Sequence, residues 1–95
     1  MRSRTSGRAV LSEREWGRVA RALKLSPREV ELLRCCFDDL SEARMAESLG
    51  ISRHTVHTYV RRLYRKAAVS SRVELVVRAV GAARPSDDES KGHRA

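Results

Sequence analysis

The residues best equipped for chemistry lie together in "SRHTVHTYVRRLYRK", positions 52–66, which holds five Arg or Lys and no acid. Guanidinium, ammonium, imidazole and hydroxyl groups at this density suit a polyanion, because they neutralise phosphates and hydrogen-bond to base edges. A second chemistry, metal binding, would use His54 and His57, three residues apart on a helix. No third ligand is near them in the sequence and the flanking cations repel a metal ion, so no metal site is expected. Cys35 and Cys36 are adjacent, with no second pair elsewhere. Neighbouring helical positions point about 100° apart and bridge poorly. Both are therefore read as reduced thiols that fill a core, rather than as a redox sensor. Ser, His and Asp occur, but without a nucleophile turn or paired carboxylates; neither catalysis nor a cofactor is expected.

What the basic stretch does depends on its other face. On a helix, Val56, Val60, Leu63 and Ala67 stack at i, i+4, i+7 and i+11, while His57, Thr58, Arg61, Arg62 and Arg65 fall off that stripe. A membrane-surface helix needs a wide face of Leu, Phe or Trp, and this stripe is too narrow and too small. It suits docking against other helices, with the basic face outward. The formal net charge of +8 is also sided. Residues 1–24 carry +5, residues 25–51 carry −3, residues 52–81 carry +6, and residues 82–95 are neutral. Such a field is the footprint of a polyanion partner, the bland alternative being a soluble surface that is merely basic. No run is long enough to span a membrane, and the basic N-terminus has no apolar segment after it, so a cytoplasmic location is expected.

The elements that must position this helix announce themselves by their starts. Ninety-five residues make one small domain. Ala, Leu, Arg and Glu dominate, and Val and Ile never alternate with polar residues over a strand length. "SERE", "SPRE" and "SRVE" each place a Ser at N-cap and a Glu three residues on, a capping-box spacing at Ser12, Ser26 and Ser71. Ser41 and Ser52 are simpler N-caps. Five starts predict five helices, an all-α bundle. The first spans 12–24, with Trp16, Val19, Ala20 and Leu23 inward and Trp16 as its anchor. The second spans 26–38, with Val30, Leu33, Cys36, Phe37 and the following Leu40 inward. The third spans 41–49, burying Met45, Ala46 and Leu49; the fourth spans 52–67. The fifth spans 71–82, with Val73, Leu75, Val76, Val77 and Val80 as its apolar residues. Residues 1–11 are expected to be a disordered arm and residues 83–95 a disordered tail, rich in Pro, Ser, Gly and charge.

A short helix, a turn containing Gly50, and a longer basic helix form the helix-turn-helix order. "MAESLGISRHTV" fills it, with Ala46 small at a helix crossing, Gly50 free to turn left-handed, and Ile51 and Val56 closing on the core. The pieces "LSPREVELLR", "LSEARMAESLGIS", "HTVHTYVRRLYRKAAV" and "SSRVELVVRAV" stand in order and without gaps across residues 25–80. In this the chain resembles the LuxR/GerE-type DNA-binding domain. The resemblance implies a tetra-helical helix-turn-helix unit over 25–82, with the helix at 12–24 as an extra N-terminal element. The family usually has Gly where Asp39 stands, Asn, Lys and Glu at Glu42, Ala43 and Arg44, and Lys-Leu-Gly at Lys66, Ala67 and Ala68. It commonly has Lys at His57 and His at Tyr59. These departures bear on which DNA is read and leave the fold expectation in place.

The resemblance further implies a stand-alone, sequence-specific regulator of transcription that binds double-stranded DNA in the bacterial nucleoid. His57, Thr58 and Arg61 correspond to the family's base-reading positions, and all three lie on the face that periodicity leaves exposed. Arg61 suits guanine O6 and N7; Thr58 suits a thymine methyl or a base edge; His57 can donate to guanine or accept from adenine, according to its tautomer. Phosphate contacts fall to Thr55 and Tyr59, with Arg53, Arg62 and Arg65 farther out. The last helix resembles the family's dimerisation helix, which implies a homodimer through Leu75, Val76 and Val77; the alternative is that all three are buried within one chain. Two other functions fit parts of the pattern. One is a module like the −35-reading region of a sigma factor, with RNA polymerase as partner, which normally lacks a separate last helix. The other is a protein-interaction module that binds another regulator through residues 71–82 and the first helix. The 24 residues before the unit are too few for a receiver or ligand-binding domain. Control by abundance, dimerisation or a partner is the corresponding expectation.

Overall fold

The computed structural model describes residues 11–85. Among these the chain forms five helices and no strand: α1 (Glu13–Leu23), α2 (Pro27–Phe37), α3 (Glu42–Leu49), α4 (Arg53–Ala67) and α5 (Arg72–Ala83). The expected all-α bundle, with its additional first helix, is the fold. The expected arm and tail lie mostly outside the described residues, but their inner ends differ from expectation. Leu11 is buried, and Ala83 is the last residue of α5, also buried, with its carbonyl accepting from Arg18 Nη1 of α1 at 3.0 Å. Leu75, Ala79 and Ala83 recur every four residues, so small side chains carry the inward face of α5 one residue past the predicted end.

Each helix starts on a serine. Ser12, Ser26, Ser41, Ser52 and Ser71 all accept from the backbone N–H three residues on, satisfying one otherwise orphaned donor per helix. At Ser12 and Ser26 the reciprocal bond from the serine N–H to Glu15 or Glu29 is also made, at 2.8 Å each. The third expected box is half made. Ser71 has φ −145 rather than the −74 and −76 of the other two, and Glu74 accepts instead from the backbone and hydroxyl of Ser70.

Four helices end alike. The amides of Leu25, Leu40, Ile51 and Val69 reach back to the carbonyls of Ala20, Cys35, Ala46 and Tyr64 at 2.9–3.1 Å. Each of these apolar residues packs on the core, completing a Schellman motif. The residue before each takes a left-handed conformation: Lys24, Asp39, Gly50 and Ala68, with φ 57, 60, 67 and 59. Only one of the four is the glycine for which this conformation is easy.

The core runs between all five helices. α1 lies chiefly against α5, α3 against α4, and α4 against α2, with α5 also touching α4 and α2. Leu32, Leu33, Met45, Leu63 and Leu75 are fully buried at its centre. Trp16 anchors α1 as expected: it is buried, meets Phe37 edge-on at 4.9 Å and lies under the Arg34 guanidinium, also at 4.9 Å. Arg34 forks onto both carboxylate oxygens of Glu13, at 3.0 and 3.2 Å, and so links α2 to α1. The buried indole N–H of Trp16 has no acceptor among the described residues, a cost of about 1–3 kcal/mol that the ring's packing must offset. Cys35 and Cys36 are free and buried, and burial pushes the Cys36 thiol up to about 11, so it stays protonated and packs as a small hydrophobe.

Candidate nucleic-acid interface

The site is one face of α4, and the opposite face of the same helix explains why it is outward. Val56, Val60, Leu63 and Ala67 are at most 3% exposed, so the stripe inferred from spacing is the docking edge. That orientation leaves His57, Thr58 and Arg61 exposed, together with Arg53, Arg62 and Arg65. Neither α1 nor any other described element covers them. The helix carries two cations, Arg65 and Lys66, in its last turn, where its dipole favours them.

The two half-buried members of the predicted set also have structural duties. Thr55 Oγ1 accepts from the Ser52 hydroxyl at 2.9 Å, at the start of α4. Tyr59 packs on the core edge, and the Arg62 guanidinium lies 5.4 Å above its ring, which holds that cation against the helix. Arg61, Tyr64, Arg65, Val69 and Ser70 line an open hollow of about 310 Å³ at the far end of the face. Tyr64 shares the helical face of Arg61 by its spacing of three, whereas Ser70 reaches the two arginines only through the turn after α4.

Two polar contacts made across the bundle fix where this face points. Lys66, at the end of α4, donates to Glu29 Oε1 at 2.8 Å and to the Lys24 carbonyl at 2.7 Å. Glu29 is only 2% exposed, a buried acid that the capping-box reading did not anticipate. Burial alone would raise its pKa, but Lys66 and the Ser26 N–H more than offset this and hold the carboxyl below its ordinary value. One side chain thus ties α4 to the end of α1 and the start of α2. At the other end, both carboxylate oxygens of Glu42, in the first turn of α3, lie 3.3 and 3.4 Å from His57 Nδ1. That contact spans fifteen residues and has no local sequence signal.

The predicted dimer residues do not share one environment. Leu75 is 0% exposed and belongs to the core of its own chain, which removes it from any interface. Val76 is half-buried. The exposed valines of α5 are Val73 and Val77, at 73% and 65%. They sit four residues apart on one face, beside a shallow groove that Ala68, Val69, Glu74 and Arg78 also line. α5 is apolar on several sides, so periodicity alone did not choose which side met the core.

Among the described residues no helix is long and apolar enough to cross a membrane. The description "bacterial regulatory proteins, luxR family" matches residues 23–79, more than half of the chain. The chain is 41% identical over 61 residues to the bialaphos biosynthetic pathway regulatory protein of Streptomyces hygroscopicus, covering 64% of this chain and 24% of the relative. It is 36% identical over 67 residues to the HTH-type transcriptional activator RamA of Corynebacterium glutamicum, covering 68% of this chain and 24% of the relative. The aligned region therefore spans about a quarter of either relative's length. No solved structure matches. A short helix, a glycine turn and a long helix with one aliphatic edge and one basic face lie within the matched residues, and the chain belongs to the luxR family of bacterial regulatory proteins.

Proposed function

We propose that this chain is a sequence-specific regulator of transcription that lays α4 in the major groove of double-stranded DNA. The observation that carries the reading is the division of α4 into a buried aliphatic edge and an exposed edge of His57, Thr58 and Arg61. Arg61 pairs with guanine, while Thr58 and His57 meet neighbouring base edges. Thr55, Tyr59, Arg53, Arg62 and Arg65 position the helix on phosphates. The names of the two relatives, a regulatory protein and a transcriptional activator, support the regulatory role.

Val73 and Val77, with the half-buried Val76, form the self-association face in this proposal. Two β-branched residues four apart on an exposed helix make a short apolar strip, the kind of self-complementary patch that a two-fold axis pairs with its own copy. A two-fold dimer reads half-sites about one turn of DNA apart. The working location is the cytoplasm, at the nucleoid.

Selection of bound sites from a random DNA pool, followed by anisotropy titrations, tests the reading. Arg61→Ala loses about 1–3 kcal/mol of discrimination at one base pair, whereas Arg65→Ala weakens all DNA nearly equally. Equal affinity of the unaltered protein for selected and random DNA would refute it.

A further inference from the structure

We propose that Glu42 is a positioning residue that fixes the tautomer of His57 and thereby selects the base edge His57 reads. The inference rests on the DNA-reading role proposed for His57. Both Glu42 oxygens face one ring nitrogen, Nδ1, at 3.3 and 3.4 Å. An ionised carboxylate only accepts. A lone pair on Nδ1 turned toward two oxygens is repulsive, whereas an N–H there makes a hydrogen bond. The single proton of the neutral imidazole therefore sits on Nδ1, and Nε2 is left as an acceptor.

Glu42 is well placed to hold this arrangement. It stands immediately after the Ser41 N-cap, in the first turn of α3, where the positive end of the helix favours a carboxylate. The packing of α3 on α4 sets the spacing between the two side chains. The His57 side chain is 55% exposed against 33% for Glu42, so the ring remains available to a partner while its Nδ1 is engaged.

An acceptor in the major groove is matched by the amino edges, adenine N6 or cytosine N4. Guanine offers only O6 and N7, both acceptors, at that edge. A free imidazole serves either kind of edge by exchanging its proton between nitrogens. The Glu42 contact removes that freedom, so the neutral ring discriminates for a base whose amino group lies in the major groove, adenine or cytosine, and against guanine.

Two measurements test this in mildly alkaline buffer, under conditions where the spectra show a neutral ring. The first is the pair of imidazole 15N shifts of His57 in the free protein. The second is base preference at the DNA position where His57→Ala abolishes it. The shifts should report Nδ1–H in the unaltered protein and a tautomer mixture in Glu42→Ala and Glu42→Gln, whose amide can donate as well as accept. The preference for adenine or cytosine over guanine, roughly three- to tenfold for one hydrogen bond, should fall to about twofold or less in both variants. Circular dichroism of the variants checks that α3 remains formed. An Nε2–H ring in the unaltered protein, or a base preference indifferent to Glu42, would overturn the proposal. Absence of any preferred DNA sequence, with Nδ1–H intact, would refute the DNA-reading role and leave the tautomer lock standing.

Discussion

Ala68→Gly should stabilise this chain, although it removes a side chain. Ala68 follows α4 with φ 59 and ψ 47, and its amide donates to the Arg65 carbonyl at 3.2 Å in the Schellman turn. The left-handed region costs an L-residue about 1–2 kcal/mol, because Cβ crowds the following carbonyl oxygen. Glycine escapes that cost but widens the unfolded ensemble, returning about 0.4–1 kcal/mol. Ala68 is exposed, so loss of its methyl sacrifices little burial. The net expectation is a gain of about 0.5–1 kcal/mol, or roughly 2–8 °C in Tm for a domain of this size. Gly50→Ala is the reciprocal experiment. Gly50 has nearly the same conformation, φ 67 and ψ 35, and a Cβ built there meets nothing within 4 Å. Its cost is therefore backbone alone, of about the same size and opposite sign. Urea titrations of both variants, with m unchanged, give the two values directly. A fall in the urea midpoint of Ala68→Gly would show that no left-handed strain is stored at residue 68, and the reasoning would fail.

Lys66→Met leaves the nearly buried Glu29 carboxylate with Ser26 alone, and should cost about 2–3 kcal/mol in urea unfolding, less than a fully buried pair because Lys66 is partly exposed. Because the folded-state pKa of Glu29 is lowered, its contribution is complete above the unfolded carboxylate value and fades as pH falls through the folded value. The stability deficit of Glu29→Gln should therefore be largest near neutrality and shrink below about pH 4.5, as read from urea midpoints across pH; a constant deficit would refute the ionic account. Leu75→Ala should cost about 2–5 kcal/mol of chain stability, whereas Val77→Ser should change stability by about 0.5 kcal/mol or less and act on the oligomeric state in sedimentation. The opposite pattern would return Leu75 to the surface.

Much of this protein is written in short-range signals. Five serines, each aligned with the amide three residues on, set where the helices start, since capping is decided within one turn. The spacing of Val56, Val60, Leu63 and Ala67 set which edge of α4 docks, and therefore which residues remain exposed. What the sequence left open needed the positions of neighbouring helices. Val73, Leu75 and Val77 are alike in chemistry, and only the placement of α1, α2 and α4 around α5 buried the middle one and left its neighbours in solvent. Glu29 reads as a capping residue until Lys66, thirty-seven residues away, turns it into a buried ion pair. His57 reads as a base-contacting side chain with either tautomer until Glu42 arrives from α3. Local spacing fixes backbone hydrogen bonds and the periodicity of a face; contacts between distant charges, and the choice among several apolar faces, exist only once the chain has packed.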